Sequence, residues 1–215
     1  MPDSIQGRCL KCGSMQQVKT YESINTSKDP SLKEKVLDGS LFTWTCPHCG
    51  TVNLVTGPTL YHDPDGRLMV WLMPKGALSA EQAAAVEKSM EAVSESLRND
   101  PAMDGYTLRR VDSVGDLIEK VNIHEAGLDD VAIEMCKYVT RIEMNLGDAA
   151  FKFYRLEGPD NDIIFTYPKD GSMMGVRTGF KVYGDCCGIL SRNTEVRPAP
   201  GFARVDAAWL SERMG

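Results

Sequence analysis

Apolar residues recur at helical spacing through the middle of the chain and alternate with polar ones toward its end. Residues 79–98, SAEQAAAVEKSMEAVSESLR, put Ala83, Val86, Met90, Val93 and Leu97 on one stripe of a helix. Ser79 and Gln82 form a capping box ahead of it, and Asn99-Asp100-Pro101 stops it. SVGDLIEKVNIHEA predicts a second helix, with Ser113 and Asp116 as its capping pair and Gly127 as its break. A third follows in GLDDVAIEMCKYVTRIEMN, where Leu128, Val131, Met135, Val139 and Ile142 are expected to face one way. Cys136 sits beside that face and reads as a packing residue. Asp129 and Asp130 fall at the helix start, where negative charge suits the dipole, and this reading outweighs an acid–base pair. His124, near a helix end, reads as an ordinary hydrogen-bonding residue.

From residue 151 the period changes to two. FKFYRLEG, DIIFTYP and MMGVRTGFKVYGDCCGIL read as strands, with turns at 158–162 and 168–172. Cys186 and Cys187 are adjacent in the last of these. On a strand they would point to opposite sides, and a structural role is preferred to a reactive thiol or a second site. VRPAPG interrupts the chain at 196–201, and FARVDAAWLSERM closes it with a strand stub and a short helix.

The first 78 residues have shorter elements. MQQVKTYESINTS, 15–27, reads as a strand. Asp29 and Pro30 open a short helix whose apolar face is Leu32, Val36 and Leu37, and Gly39 ends it. LFTWT, 41–45, is a strand, and TVNLV, PTLYHD and RLMVWLMP follow as strands about a D-P-D-G turn at 63–66. Together they are expected to make a small antiparallel sheet. YTLRRV, 106–111, reads as one more strand. Three regions result: 1–78, 79–145 and 146–215.

Composition narrows the class. A hydrophobic fraction of 42% and a charged fraction of 25% over 215 residues are ordinary for a folded protein. The longest nearly uncharged run, LMVWLMP, is far short of the ~20 residues a membrane helix needs. MPDSIQGRCLKCG has no apolar core of a secretory signal, so a cytoplasmic location is expected. Net charge is -6, with 15 acidic and 7 basic side chains in residues 76–150. That balance argues against nonspecific nucleic-acid binding, which needs Lys and Arg to neutralise phosphates.

The seven cysteines carry the chemistry. CLKCG at 9–13 and CPHCG at 46–50 repeat one pattern, C-x-x-C followed by glycine. Such turns aim two sulfurs at one point and leave backbone N–H groups to bond the first sulfur. Glycine supplies the positive φ that the turn needs, and Pro47 presets the φ of the turn's second residue. Four thiolates around zinc make a closed, structural site, and Cys9, Cys12, Cys46 and Cys49 are its expected ligands. One structural Zn2+ is the cofactor, and no catalytic or cofactor-binding residue is assigned. The fold class is then α+β: a zinc-ribbon-like antiparallel sheet with an inserted short helix, central helices, and a β-rich C-terminal part closed by a short helix. His48 reads as a solvent-facing knuckle residue, and His62 as a hydrogen-bonding residue beside a turn. Nucleotide-binding glycine loops, H-E-x-x-H and G-x-S-x-G are all missing from the sequence.

SINTSKDPSLKEKVLDGSLFTWTCPHCG, with the earlier CLKCG, resembles the CpXC domain family of prokaryotic proteins. The resemblance extends through PTLYHDPDGRLMVWLMP and VDSVGDLIEKVNIHEAGLDDVAIEMCKY, about two-thirds of the chain. CLKC departs from the family pattern in lacking a proline after Cys9, which affects preorganisation of the turn and not ligation. The resemblance implies metal binding at the same four cysteines and no activity.

Three roles are compatible with these residues. The first is a non-enzymatic zinc protein that presents its α+β surface to a protein partner. The second is a thiol redox protein, or a sensor that releases zinc on oxidation. The third is a nucleic-acid-binding ribbon using Arg8, Lys11, Lys19, Lys33 and Lys35, against which the net charge counts.

Overall fold

The computed structural model describes residues 3–55, 57–76, 79–98, 100–147 and 149–214. The chain divides into two compact units. The first comprises Met1–Ile118 with Pro200–Phe202, and the second Glu119–Ala199 with Ala203–Gly215.

In the first unit β1 (Asp3–Arg8) and β2 (Met15–Thr20) form an antiparallel hairpin, registered from Asp3↔Thr20 to Arg8↔Met15. After β3 (Ser23–Asn25) comes the short helix α1 (Ser31–Leu37). Asp29 accepts from the Ser31 N–H, Pro30 already has helical φ and ψ, and Leu32 and Val36 are buried. Gly39 follows with φ 75°. Leu41 and Phe42 are not strand residues as expected. They lie in a 3₁₀ turn, Ser40–Phe42, that Gly39 opens, and β4 is only Thr43–Thr45. It pairs with β5 (Val52–Leu54) in a second small hairpin.

β6 (Thr59–Asp63) and β7 (Leu68–Leu72) pair antiparallel about the D-P-D-G turn, each burying every second residue. They do not join the hairpins in one antiparallel sheet. They are the centre of a separate mixed sheet, ordered β3-β6-β7-β8, whose outer pairs are parallel. Parallel neighbours need long crossovers, so local patterning could not reveal them. One crossover contains α2 (Ala80–Arg98), after which β8 (Thr107–Val111) returns. The Ser79–Gln82 capping box forms in both directions, 2.9 and 3.2 Å. Of the expected stripe, Met90 is buried but Val93 is 40% exposed, and the side chains of Ala83 and Leu97 lie outside the described residues. Asn99 does too, while Asp100 caps the next turn by accepting from the Ala102 N–H.

α3 (Val114–Glu125) begins with the Ser113–Asp116 pair and contains the division between the units. In the second unit α4 (Asp130–Glu143) is capped by Asp129, which accepts from the N–H groups of Val131 and Ala132. The expected one-sided stripe is not what α4 shows. Residues 130–137 are buried on every side, whereas Ile142 in the last turn is 62% exposed. An antiparallel sheet ordered β11-β10-β9 follows, from β9 (Lys152–Glu157), β10 (Asp162–Lys169) and β11 (Ser172–Thr178). Ile163, Phe165 and Tyr167 of β10 point into the core, where Phe151 stacks on Phe165.

The strand reading fails after Thr178. Phe180–Arg192 is a helix, α5, so Cys186 and Cys187 do not face opposite sides of a strand. Tyr183, Cys186, Cys187 and Leu190 repeat at helical spacing and pack on the core, an advantage that outweighs the cost of Gly184 and Gly188 in a helix. α6 (Ala207–Met214) closes the unit, burying Trp209 and Leu210. Among the described residues no helix is long and apolar enough to cross a membrane.

A network of charges is also buried in the second unit. Lys137 Nζ lies 2.5 Å from Glu119 Oε1 and 2.7 Å from Glu134 Oε1, and Lys120 Nζ lies 2.8 Å from Asp130 Oδ2. Lys152 approaches the second Glu119 oxygen at 3.2 Å, and the Phe153 N–H donates to the first. Three acids thus meet three lysines. Burial pushes the Glu119 carboxyl up, but the Lys137, Lys152 and Lys120 charges outweigh it and hold the group below the ordinary carboxylate range. Burial pulls Lys137 down, and Glu119 and Glu134 more than reverse this.

The stability contributed by Glu119 is therefore present above the unfolded value near ~4.3 and lost as pH falls below it. That of Lys137 is present below ~10.4 and lost as pH rises above it. Denaturant unfolding of the second unit should show a plateau between these limits and decline on both sides. Lys137→Met, which takes the nearest cation from two buried carboxylates and leaves them only Lys152 and Lys120, should cost about 3–5 kcal/mol in the same measurement.

Candidate metal centre

The two C-x-x-C segments are the tips of the two hairpins. Strand pairing ends at Arg8↔Met15 and at Thr45↔Val52, leaving Cys9–Ser14 and Cys46–Thr51 as turns of equal length. Their backbone bonding is the same. Cys9 N–H donates to Ser14 O and Gly13 N–H to Cys9 O; Cys46 N–H donates to Thr51 O and Gly50 N–H to Cys46 O, all at 2.9 Å. Gly13 and Gly50 have φ of 74° and 68°, the left-handed conformation that a side chain would strain. The first turn reaches this geometry with Leu10 where the second has Pro47, so the geometry does not require a proline.

The tips meet. Cys9 Sγ lies 3.6 Å from Cys49 Sγ, and Cys12 Sγ lies 3.6 Å from Cys46 Sγ. All four sulfurs fall within 4.8 Å of one another. An ion bonded to four thiolates at about 2.3 Å spaces them about 3.8 Å apart on a tetrahedron, so the donor set fits such a group. Both 3.6 Å contacts cross from one turn to the other. Cys9 and Cys46 are buried, Cys49 is half-buried and Cys12 is exposed.

A ring of polar groups surrounds the sulfurs. The Ser14 hydroxyl lies 3.2 Å from both Cys12 Sγ and Cys46 Sγ, and Thr51 Oγ1 lies 3.3 Å from Cys49 Sγ. Asn53, buried on β5, accepts from the Leu10 N–H at 2.9 Å and turns its amide to Thr51 O at 2.9 Å and Cys9 Sγ at 3.7 Å. One side chain of the second hairpin thereby holds the backbone of the first turn. The Ser14 hydroxyl, followed by the N–H groups of His48 and Cys49, outweighs burial and brings the Cys46 thiol down to about 6. The N–H of Cys12 lowers Cys9 in the same manner. Cys49 is held up: its bonds to Thr51 favour the thiolate, but burial and the Cys9 and Cys12 sulfurs prevail. Four soft donors with no nitrogen or oxygen among them suit a thiophilic ion.

His48 is exposed on the second turn. His62 is bound elsewhere, its Nε2 3.0 Å from Tyr106 OH and its Nδ1 3.4 Å from the Asn25 amide. Cys136 and Cys186 are buried together in the second unit, outside this cluster. Sequence reasoning missed Ser14, Thr51 and Asn53. The first two had a visible signal, since both turns read C-x-x-C-G followed by a hydroxyl residue. Asn53 had none, being an inward position of a short strand.

One family model, that of the CpXC protein, matches the chain over residues 8–137, more than half of its length. The match contains both turns and ends within α4. No curated protein and no solved structure matches the chain.

Asn53→Ala removes a bond that orients the first turn and leaves the Leu10 N–H unpaired. Competition with a chelator for added Zn2+ should show the ion held about 10–100-fold more weakly than by the wild type, the range for loss of an outer-shell partner. The single-site change at His48, His48→Ala, should leave the competition curve unmoved.

Proposed function

The chain belongs to the CpXC family, and we propose that it is a non-enzymatic protein in which Cys9, Cys12, Cys46 and Cys49 hold one structural Zn2+ and the metal-bearing hairpins present an apolar surface to a protein partner. The observation that carries this reading is the convergence of four sulfurs from two separate hairpin tips within 4.8 Å. Four protein ligands complete a tetrahedral shell and leave no position for substrate or activated water, which is the mark of a structural site. The partner surface is supported by exposure around the same site. Leu10 at the first tip is 89% exposed, and Val52 and Leu54, two apart on one face of β5, are 62% and 60% exposed. Apolar side chains grouped in this way favour a protein contact. The location that goes with this reading is the cytoplasm, where thiols stay reduced.

The other two readings draw less support. A C-x-x-C exchanger works by closing the pair within one motif, whereas the 3.6 Å contacts here run between motifs. Of the basic residues suited to nucleic acid, Lys33 pairs with Asp63 at 2.7 Å, and the net charge is -6.

Elemental analysis of protein purified without chelator should give about one zinc per chain. Stripping the zinc should unfold the two hairpins, read as loss of amide protection in residues 3–20 and 43–54, while the second unit keeps its transition. Protected hairpins in metal-free protein would defeat the assignment. A Leu10→Asp/Val52→Asp double variant that still binds zinc should lose the partner recovered by cross-linking the wild type in its host.

A further inference from the structure

Cys136 on α4 and Cys186 on α5 face each other inside the second unit, their sulfurs 3.7 Å apart and their positions fifty residues apart in the chain. Both are buried, at 0% and 2% exposure, and neither belongs to the metal centre. We propose that these two thiols are a modification site: a hydroperoxide converts them to a reversible disulfide that closes a covalent ring of chain containing the strands β9–β11.

The geometry needs little change. A disulfide places its sulfurs about 2.05 Å apart, so the pair must close from 3.7 Å. α5 has the freedom to supply that motion, because Gly184 and Gly188 stand two residues to either side of Cys186. Glycine is the weakest ordinary helix former, and a Cβ built at Gly184 would meet no atom within 4 Å. The stretch GDCCG therefore holds the weakest helix formers of α5.

The two sulfurs are also unequal. The hydrogen bond between them favours the Cys186 thiolate, with burial opposing, and makes Cys136 the thiol that keeps its proton. That assigns the steps. The Cys186 thiolate attacks one oxygen of the hydroperoxide, the O–O bond breaks, and the leaving oxygen departs as water or alcohol after taking a proton. Cys186 is then a sulfenic acid. The Cys136 sulfur attacks the sulfenic sulfur, an S–S bond forms as the S–O bond breaks, and the hydroxyl leaves with the Cys136 proton as a second water. Two thiols have lost two electrons to one peroxide. A low-molecular-weight dithiol reverses the change by exchange. Cys187, half-buried and adjacent in sequence, is not the partner, since neighbouring cysteines bond each other only with strain.

The ring closed by this bond contains the end of α4, all of β9, β10 and β11, and the start of α5. Oxidation therefore acts on the unfolded chain, restricting it across most of the second unit.

The test uses the full chain, reduced and then treated with hydrogen peroxide in graded doses, followed by alkylation under denaturing conditions and peptide mapping. The expected product is the Cys136 peptide joined to the Cys186 peptide, about 2 Da lighter than the two unalkylated peptides together. It should persist in Cys187→Ser, vanish in Cys186→Ala and revert with dithiothreitol. The oxidised protein should melt several degrees higher in its second unit, and lose the gain on reduction. Recovery of Cys136 and Cys186 as separately alkylated thiols, or of Cys186 joined to Cys187, would overturn the proposal. So would a cross-link that leaves the melting temperature where it was.

Discussion

Four thiol groups within 4.8 Å of one another are unfavourable company unless something positive lies between them. Fully ionised, they would crowd four negative charges into one turn-sized volume, and even partly ionised they oppose each other, as the Cys49 thiol, held up against its bonds to Thr51 by burial and by the Cys9 and Cys12 sulfurs, records. Little else holds the hairpins that bring them there. β4 and β5 have three residues each, β1 buries no side chain, and an isolated two-stranded ribbon is marginal in water. The meeting of the tips thus gathers like groups in a ribbon that has few buried side chains, Val18 and Asn53 among them, to hold it. A bound cation turns the repulsion into cohesion, and the Ser14 hydroxyl and Asn53 amide then add directional support that a flexible pair of turns would lack.

The second unit is built on another principle. Its core is apolar, centred on Ile133, Phe153, Ile163, Phe165, Leu190 and Leu210. The paired thiols Cys136 and Cys186 belong to that core as packing residues in the reduced protein. One chain therefore uses sulfur in two ways: as donors gathered at an exposed pair of turns, and as neighbours enclosed between two helices.

Much of this was readable from residue order. The two cysteine turns follow from spacing alone, because C-x-x-C-G is a local instruction that the backbone carries out identically at Cys9–Gly13 and Cys46–Gly50. The starts of α2, α3 and α4 follow from Ser79, Ser113 and Asp129, each of which bonds the first turn that it precedes. The parallel pairings β3–β6 and β7–β8 were hidden because they join distant segments. β1 was hidden because DSIQGR contains a single apolar residue and is a strand only through its ladder with β2. α5 was misread because its glycines and β-branched residues look like strand and turn, while its helical spacing becomes decisive only against a core contributed by other elements. The sulfur-supporting Asn53 was out of reach, since its value lies in touching Leu10 across a hairpin.

The buried charges of the second unit have a consequence for how this protein can change over generations. Glu119, Glu134 and Lys137 share one ammonium between two carboxylates, and Lys152 and Lys120 complete the balance. No member can be exchanged for a neutral residue by itself without leaving an opposite charge stranded in the interior. Drift at these positions is therefore barred one step at a time and open only to paired replacements. Related chains should either retain the whole set or have traded it together for apolar side chains of similar size.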